Sequence, residues 1–221
     1  MTERKFGGLI LCGGKSRRMG LDKASLPFGD ETMLARVARL LAQIVDPLVI
    51  VAAPDQELPE VSVPVTVVFD RAKDQGPLEG LAAGIEALSD QVDAVYATSC
   101  DVPLLTVDFV RFVIDCLADH DVAVPKDSRH FHPLSAVYRV SVLAHIESLL
   151  SQARRRPVYL FDEVDTLEIP TAELAAADPE LLSLRNLNCP KDYIDALGMA
   201  GLPVPSDLDA TFASLKSNHR E

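Results

Sequence analysis

Residues 6–23 read FGGLILCGGKSRRMGLDK. The first part, Phe6 to Cys12, is a short apolar run that stops at paired glycines, and it reads as a buried strand. The second part gathers Gly13, Gly14 and Gly20 with Lys15, Arg17, Arg18 and Lys23. So much positive charge in one loop stands out in a chain of formal net charge −12. Glycines let backbone N–H groups turn toward an anion, and guanidinium groups grip phosphate oxygens in pairs. A strand that runs into such a loop predicts a phosphate-binding turn at the mouth of an α/β sheet. Two familiar spacings are not met. A P-loop would need its first glycine at Leu9, and Gly13, Gly14 and Gly20 miss the G-x-G-x-x-G pattern.

The rest of the chain alternates in the same manner. Thr32 to Val45 carries a helical apolar stripe, and Leu48 to Ala53 reads as a second strand. Val65 to Phe69 reads as a third, followed by a helix opened by Pro77. Asp93 to Ser99 reads as a fourth strand, Thr106 caps the next helix, and Asp121 to Pro125 is a fifth strand. Strands alternating with helices predict a doubly wound, mostly parallel α/β sheet with helices on both faces. The C-terminal half is smaller and less regular. Pro133 to Tyr138 reads as an antiparallel strand, Val142 to Ala153 as a helix, Val164 to Ile169 as a short strand and Pro190 to Leu197 as a helix. Residues 1–200 are expected to form one domain, with 201–221 as a tail.

Composition narrows the function. The pI near 4.8 argues against nucleic acid as a partner, since such binding needs a basic face. The N-terminus has neither a signal-peptide core nor a membrane span, so a cytoplasmic protein without membrane attachment is expected. Cys12, Cys100, Cys116 and Cys189 are scattered, which suits buried reduced thiols rather than disulfides or zinc.

Two acids stand where ligands bind in doubly wound sheets, just past strand ends. Asp101 follows the fourth strand. If that strand neighbours the first, Asp101 faces the glycine loop, and an acid beside bound phosphates needs a cation between them. Mg²⁺ bridges carboxylate and triphosphate in this way. Asp70 ends the third strand, where a carboxylate accepts hydrogen bonds from ribose or from base N–H groups. Asp22 and Lys23 form a neighbouring pair, read either as a local ion contact or as solvated charges. His130 and His132 share an H-x-H spacing, but no carboxylate or cysteine pattern supports a metal there.

The run G-G-x-S-x-R-M-G-x-D-K after a first strand resembles the signature of the GT-A-like, Rossmann-like nucleotidyltransferases. Further stretches match: Asp70 followed by Gly76-Pro77-Leu78-Glu79-Gly80; Cys100-Asp101-Val102-Pro103; His132-Pro133-Leu134; and Asn186-Leu187-Asn188-Cys189-Pro190. In combination they resemble the molybdenum cofactor guanylyltransferases. That resemblance implies transfer of GMP from GTP to molybdopterin, with diphosphate released and Mg²⁺ as cofactor. It implies nucleotide binding by Leu11, Cys12, Gly13, Gly14, Lys23, Asp70, Gly76 and Asp101, with Asp101 on the metal. Lys23, Asp101 and Arg17 are the catalytic candidates. His132, Asn186 and Asn188 are the candidates for the second substrate, although the asparagines equally suit capping of the last helix. Arg154, Arg155 and Arg156 fit either the pterin phosphate or a solvated helix end. Where the family often carries an asparagine, this chain has Ala52, so transfer from CTP or to a sugar phosphate stays open. A non-catalytic nucleotide-binding domain is the remaining alternative. The acidic surface suits transient docking of proteins that deliver or receive the cofactor.

Overall fold

The computed structural model describes residues 4–13, 21–70, 76–206 and 208. Most of the expected tail, 201–221, therefore lies outside the described residues.

The elements run in chain order as β1 (Phe6–Leu11), β2 (Pro27–Phe28), β3 (Glu31–Thr32), α1 (Met33–Leu41), β4 (Leu48–Ala52), β5 (Thr66–Phe69), α2 (Pro77–Leu88), β6 (Ala94–Ser99) and α3 (Val107–Cys116). They continue as β7 (Val122–Lys126), β8 (Ala136–Arg139), α4 (Leu143–Ser151), α5 (Val158–Phe161), β9 (Thr166–Pro170), α6 (Thr171–Leu174) and α7 (Pro190–Met199), with single 3₁₀ turns before α4 and α7.

Seven strands form one sheet in the order β5-β4-β1-β6-β8-β7-β9. β1 lies parallel between β4 and β6, with Leu11 opposite Val51 on one side and Ser99 on the other. The chain first builds outward from β1 through β4 to β5, then crosses back to place β6 on the opposite side. The order therefore reverses between β1 and β6, which opens a crevice beyond their carboxyl ends.

The parallel frame agrees with the alternation read from the sequence. The fifth predicted strand does not sit beside the fourth, however. β8 inserts between them and runs antiparallel to both β6 and β7. β9 closes the edge, parallel to β7. The small hairpin β2–β3, turning at Gly29 with φ +73°, was not predicted. α1 is shorter than its apolar stripe and starts at the Thr32 cap, whose hydroxyl accepts from the Ala35 N–H at 3.2 Å. Thr106 caps α3 in the same way, accepting from Phe109 N at 3.2 Å. That leaves Asp101 free of any capping duty.

Each sheet face buries its own core. α1 and α3 cover the face carrying Ile10, Ile50 and Tyr96, whereas α2 and α4 cover the face carrying Leu9, Val49 and Val95. A third cluster joins the β2–β3 hairpin to α7 through Phe28, Met33, Tyr193 and Leu197. This cluster draws the C-terminal segment toward the crevice. No helix among the described residues is long and apolar enough to cross a membrane.

α2 lies close against β1 because Gly84 has no side chain. A Cβ there would sit 2.1 Å from Leu9 Cδ1, and Leu9 is fully buried. Gly84→Ala is therefore expected to destabilise the fold by roughly 1–3 kcal/mol through overpacking. The gain in helix propensity returns at most about 1 kcal/mol. Urea unfolding of the variant against the parent checks the balance.

Candidate active site

The ladders of β1 and β6 persist one residue past the strand ends. Cys12 N donates to Val51 O at 2.8 Å, and Cys100 N donates to Leu11 O at 3.1 Å. Gly13 and Asp101 thereby emerge side by side over the crevice, as the position of β1 beside β6 requires. Gly14 and Arg17, with Lys15, Arg18 and Gly20, lie outside the described residues.

Asp101 is buried and is the hub of the described site. Its Oδ1 accepts from Ser99 Oγ at 2.6 Å and from Asn186 Nδ2 at 2.9 Å. Its Oδ2 faces Lys23 Nζ at 2.7 Å, and the same ammonium donates to Asn188 Oδ1 at 3.1 Å. The Asp101 carbonyl accepts from Leu187 N at 2.9 Å, which ties the C-terminal segment to the end of β6. A carboxylate and an ammonium removed from water need this density of hydrogen bonds to offset desolvation. Lys23 therefore pairs with Asp101 across the crevice and not with adjacent Asp22, which corrects the local reading of that pair. Asp22 instead accepts from Ala24 N at 3.2 Å and from Ser25 Oγ at 3.4 Å.

Asn186 and Asn188 converge on the same charged pair and do not cap α7 with their side chains. Asp192 takes that task, accepting from the backbone N–H groups of Asn188 at 2.9 Å and Cys189 at 3.0 Å. The capping alternative for the asparagines is thereby corrected.

Asp70 borders the crevice on the far side of Gly13. A Cβ on Gly13 would lie 3.0 Å from Asp70 Oδ2, so glycine is what allows this acid its position. Burial pushes the Asp70 carboxyl above the ordinary carboxylate range, and buried Glu79 in the first turn of α2 adds to the rise. Gly76 precedes α2 with φ +82°, a backbone shape that glycine adopts freely, and Pro77 opens the helix. Ala53 N lies 3.9 Å from the same notional Gly13 Cβ, which brings the end of β4 into the group. Leu11 and Cys12 line this rim as buried residues.

His132 stands at the same edge of the sheet, two strands away, because antiparallel β8 starts where β6 ends. Its Nε2 lies 3.2 Å from Asp127 Oδ2, and His130 Nδ1 lies 3.8 Å from Asp127 Oδ1. One carboxylate, Asp127, therefore lies beside both histidines. Asp127 is mainly a turn acid. The Arg129 and His130 backbone N–H groups, each at 2.7 Å, are the main cause holding its carboxyl down at about 2. Among the described residues no group of three or more histidine, cysteine or acidic side chains is placed to hold a metal. Arg154 is engaged with Glu163 at 2.5 Å and lies over the Tyr159 ring. Arg155 is exposed, and its carbonyl approaches Gly76, so the basic run borders the start of α2.

The cysteines only partly match expectation. Cys12 and Cys100 are buried, but Cys116 and Cys189 are partly exposed. The Cys12 thiol beside Cys100, together with burial, pushes the Cys100 thiol well above its usual range. Two contributors escaped the sequence reading. Ser99 carries a signal only through its place two residues before Asp101 at a strand end. Gln56, which follows the Ala53-Pro54-Asp55 turn, carried none.

The arrangement suits a nucleoside triphosphate chemically. Asp101 offers a hard oxygen donor of the kind Mg²⁺ takes, one or two carboxylates sufficing where phosphate oxygens complete the shell. Its present counter-charge, Lys23, is a lysine suited to phosphate. Residues 8–166 match a family model described as the MobA-like NTP transferase domain. The chain is 34 % identical over 194 residues to a Mycobacterium avium protein named a probable molybdenum cofactor guanylyltransferase, covering 85 % of this chain and 93 % of that one. A Methanosarcina mazei protein of the same name is 32 % identical over 213 residues, covering 90 % and 93 %. Among solved structures, molybdopterin-guanine dinucleotide biosynthesis protein A from Archaeoglobus fulgidus superposes with a TM-score of 0.72 at 21 % identity, over 88 % of this chain and 98 % of that one. At that identity the likeness concerns the fold.

Proposed function

The chain belongs to the MobA-like NTP transferase family and is a nucleotidyltransferase, and from that premise we propose that it transfers GMP from GTP to the phosphate of molybdopterin. The observation that carries this reading is the Lys23–Asp101 pair, 2.7 Å apart at the switch-point crevice, with Asp70 on its far rim.

In the proposed reaction a terminal phosphate oxygen of the pterin substrate bonds to the α-phosphorus of GTP. The bond from that phosphorus to the bridging oxygen breaks, and diphosphate leaves with the electron pair. The nucleophile is already ionised, so no general base is needed. Catalysis rests on alignment and on neutralising charge. Lys23 donates to the triphosphate, joined in this role by Arg17 from the glycine-rich segment. Asp101 would hold Mg²⁺, which would supply charge neutralisation at the phosphates. Asn186 and Ser99 keep the Asp101 carboxylate oriented, leaving Oδ2 as the oxygen that faces the crevice. The Gly13 backbone approaches the phosphates, and the resemblance assigns Gly14 to nucleotide binding as well.

Asp70 supports guanine as the base. A carboxylate accepts two hydrogen bonds in parallel, and guanine presents adjacent N1–H and N2–H₂ donors. Cytosine presents one amino group flanked by an acceptor. Ala52 and Ala53 bring no competing side chain to that rim. His132 and Asn188 are the side chains we propose for the pterin substrate. The acidic surface serves proteins that exchange the cofactor.

The test mixes the purified protein with Mg²⁺, molybdopterin and either GTP or CTP, and follows diphosphate release. Release is expected with GTP and not with CTP. Release with CTP alone, or with neither nucleotide, overturns the proposal.

A further inference from the structure

We infer that Gln56 is a positioning residue of the nucleotide site: its side-chain amide clasps the neck of the glycine-rich segment, joining the residue that enters it to the residue that leaves it. The inference rests on the nucleotide site proposed above and adds to it a residue that no sequence motif marks.

Three contacts carry the point. Gln56 Oε1 accepts from Ala53 N at 3.1 Å, at the exit of β4. Gln56 Nε2 donates to the Cys12 carbonyl at 3.4 Å, the last residue before the glycines. The same Nε2 donates to Asp22 Oδ1 at 3.4 Å, immediately before Lys23. An amide nitrogen has two hydrogens, one for each side of the neck. The orientation of the amide follows from its neighbours. Reversed, its oxygen would face a carbonyl and a carboxylate, and its nitrogen would face a backbone N–H.

The backbone aims this side chain. Ala53-Pro54-Asp55-Gln56 is a tight turn closed by Gln56 N donating to Ala53 O at 3.1 Å. Proline in its second position and a left-handed Asp55, φ +68°, in its third give the type II pattern. The turn returns Gln56 over the end of β4, toward β1.

Glutamine is the residue type that this task requires. Glutamate keeps the length but loses both donors and puts a second negative charge beside Asp22. Methionine keeps the bulk but makes neither bond. Asp22 is already committed to the Ala24 and Ser25 donors, so whatever holds Asp22 also holds the base of Lys23. The clasp thus links the entrance of the phosphate segment to the lysine that meets Asp101. It acts on the placement of the nucleotide and leaves the bond-making step to other groups.

The experiment measures the dissociation constant of Mg²⁺–GTP by calorimetry, with KM and kcat, for Gln56→Glu, Gln56→Met and the double variant Asp22→Asn with Gln56→Glu. In the double variant the second negative charge beside position 22 is removed and an amide there can donate to the carboxylate at 56, while the bond to the Cys12 carbonyl stays lost. Gln56→Glu should raise the dissociation constant and KM by about tenfold or more, with kcat falling far less. Gln56→Met should weaken binding to a smaller degree, and the double variant should regain part of the loss, to about the level of Gln56→Met. Both single variants binding GTP as the parent does, or the double variant failing to recover, overturns the clasp while leaving the nucleotide site intact. Loss of binding together with the cooperative melting transition in both single variants assigns Gln56 a merely structural role and overturns it equally. A parent protein that ignores GTP fails the nucleotide site itself, and the clasp with it.

Discussion

Replacing Asp101 with asparagine is expected to lower kcat by about 10²–10³, the usual cost of removing one charged contact from a developing transition state. The same change should abolish the dependence of GTP binding on Mg²⁺. The shape of the side chain is kept, so the fold should survive. Its Oδ1 can still accept from Ser99 and Asn186, but its Nδ2 then faces the Lys23 ammonium where Oδ2 stood, and one lost buried hydrogen bond costs about 1 kcal/mol. Calorimetric titration of GTP with and without Mg²⁺, beside a melting curve, separates the two effects. A variant that turns over at the parental rate would remove Asp101 from the reaction.

Lys23→Met should produce a loss of similar size by a different route. The thioether keeps most of the length but brings no charge, so phosphate binding should weaken and kcat fall by about 10²–10³. Mg²⁺ dependence should remain, because Asp101 is still present. Asp101 would also lose its 2.7 Å counter-ion in a largely buried place, which is expected to cost about 1–3 kcal/mol of stability. Lys23→Arg should recover only part of the activity, since a planar fork does not reproduce a compact ammonium between Asp101 and Asn188. The two losses in Asp101→Asn and Lys23→Met should not add in the double variant, because the pair acts as one unit. Initial-rate kinetics on the four proteins check this.

Much of the site is legible from local sequence. Apolar runs ending in Gly13 or in Asp101 mark strand exits, and the reversal rule for doubly wound sheets brings those exits together. Thr106 reads correctly as a cap because a cap is a short-range device. What escapes is long-range. Asn186 meets Asp101 across 85 positions of sequence, and no periodicity encodes that meeting. Lys23 has an acid beside it in the chain, and its actual partner is 78 positions away. The strand β8 agrees with the antiparallel reading of Pro133 to Tyr138, but its insertion between β6 and β7 is equally hidden. Four buried or half-buried residues carry no signal of which strands flank them, and only the pairing on both sides reveals the order of the sheet. Gln56 is silent for another reason, since its importance depends on a turn whose left-handed residue is an aspartate and not the glycine that usually announces such a bend.

The bond from Leu187 N to the Asp101 carbonyl gives the last third of the chain a disproportionate part in the chemistry. The matched family region stops at residue 166, inside β9, where the sheet is nearly complete. A fragment trimmed there would keep the glycine turn and every strand beside it. It would nonetheless lack Asn186 and Asn188, so the hub acid would lose its bracing and the lysine its second anchor. Scaffold and working centre therefore have different outlines on this molecule, and an excision planned from the strands around β1 alone would take away the braces of the hub acid together with α7.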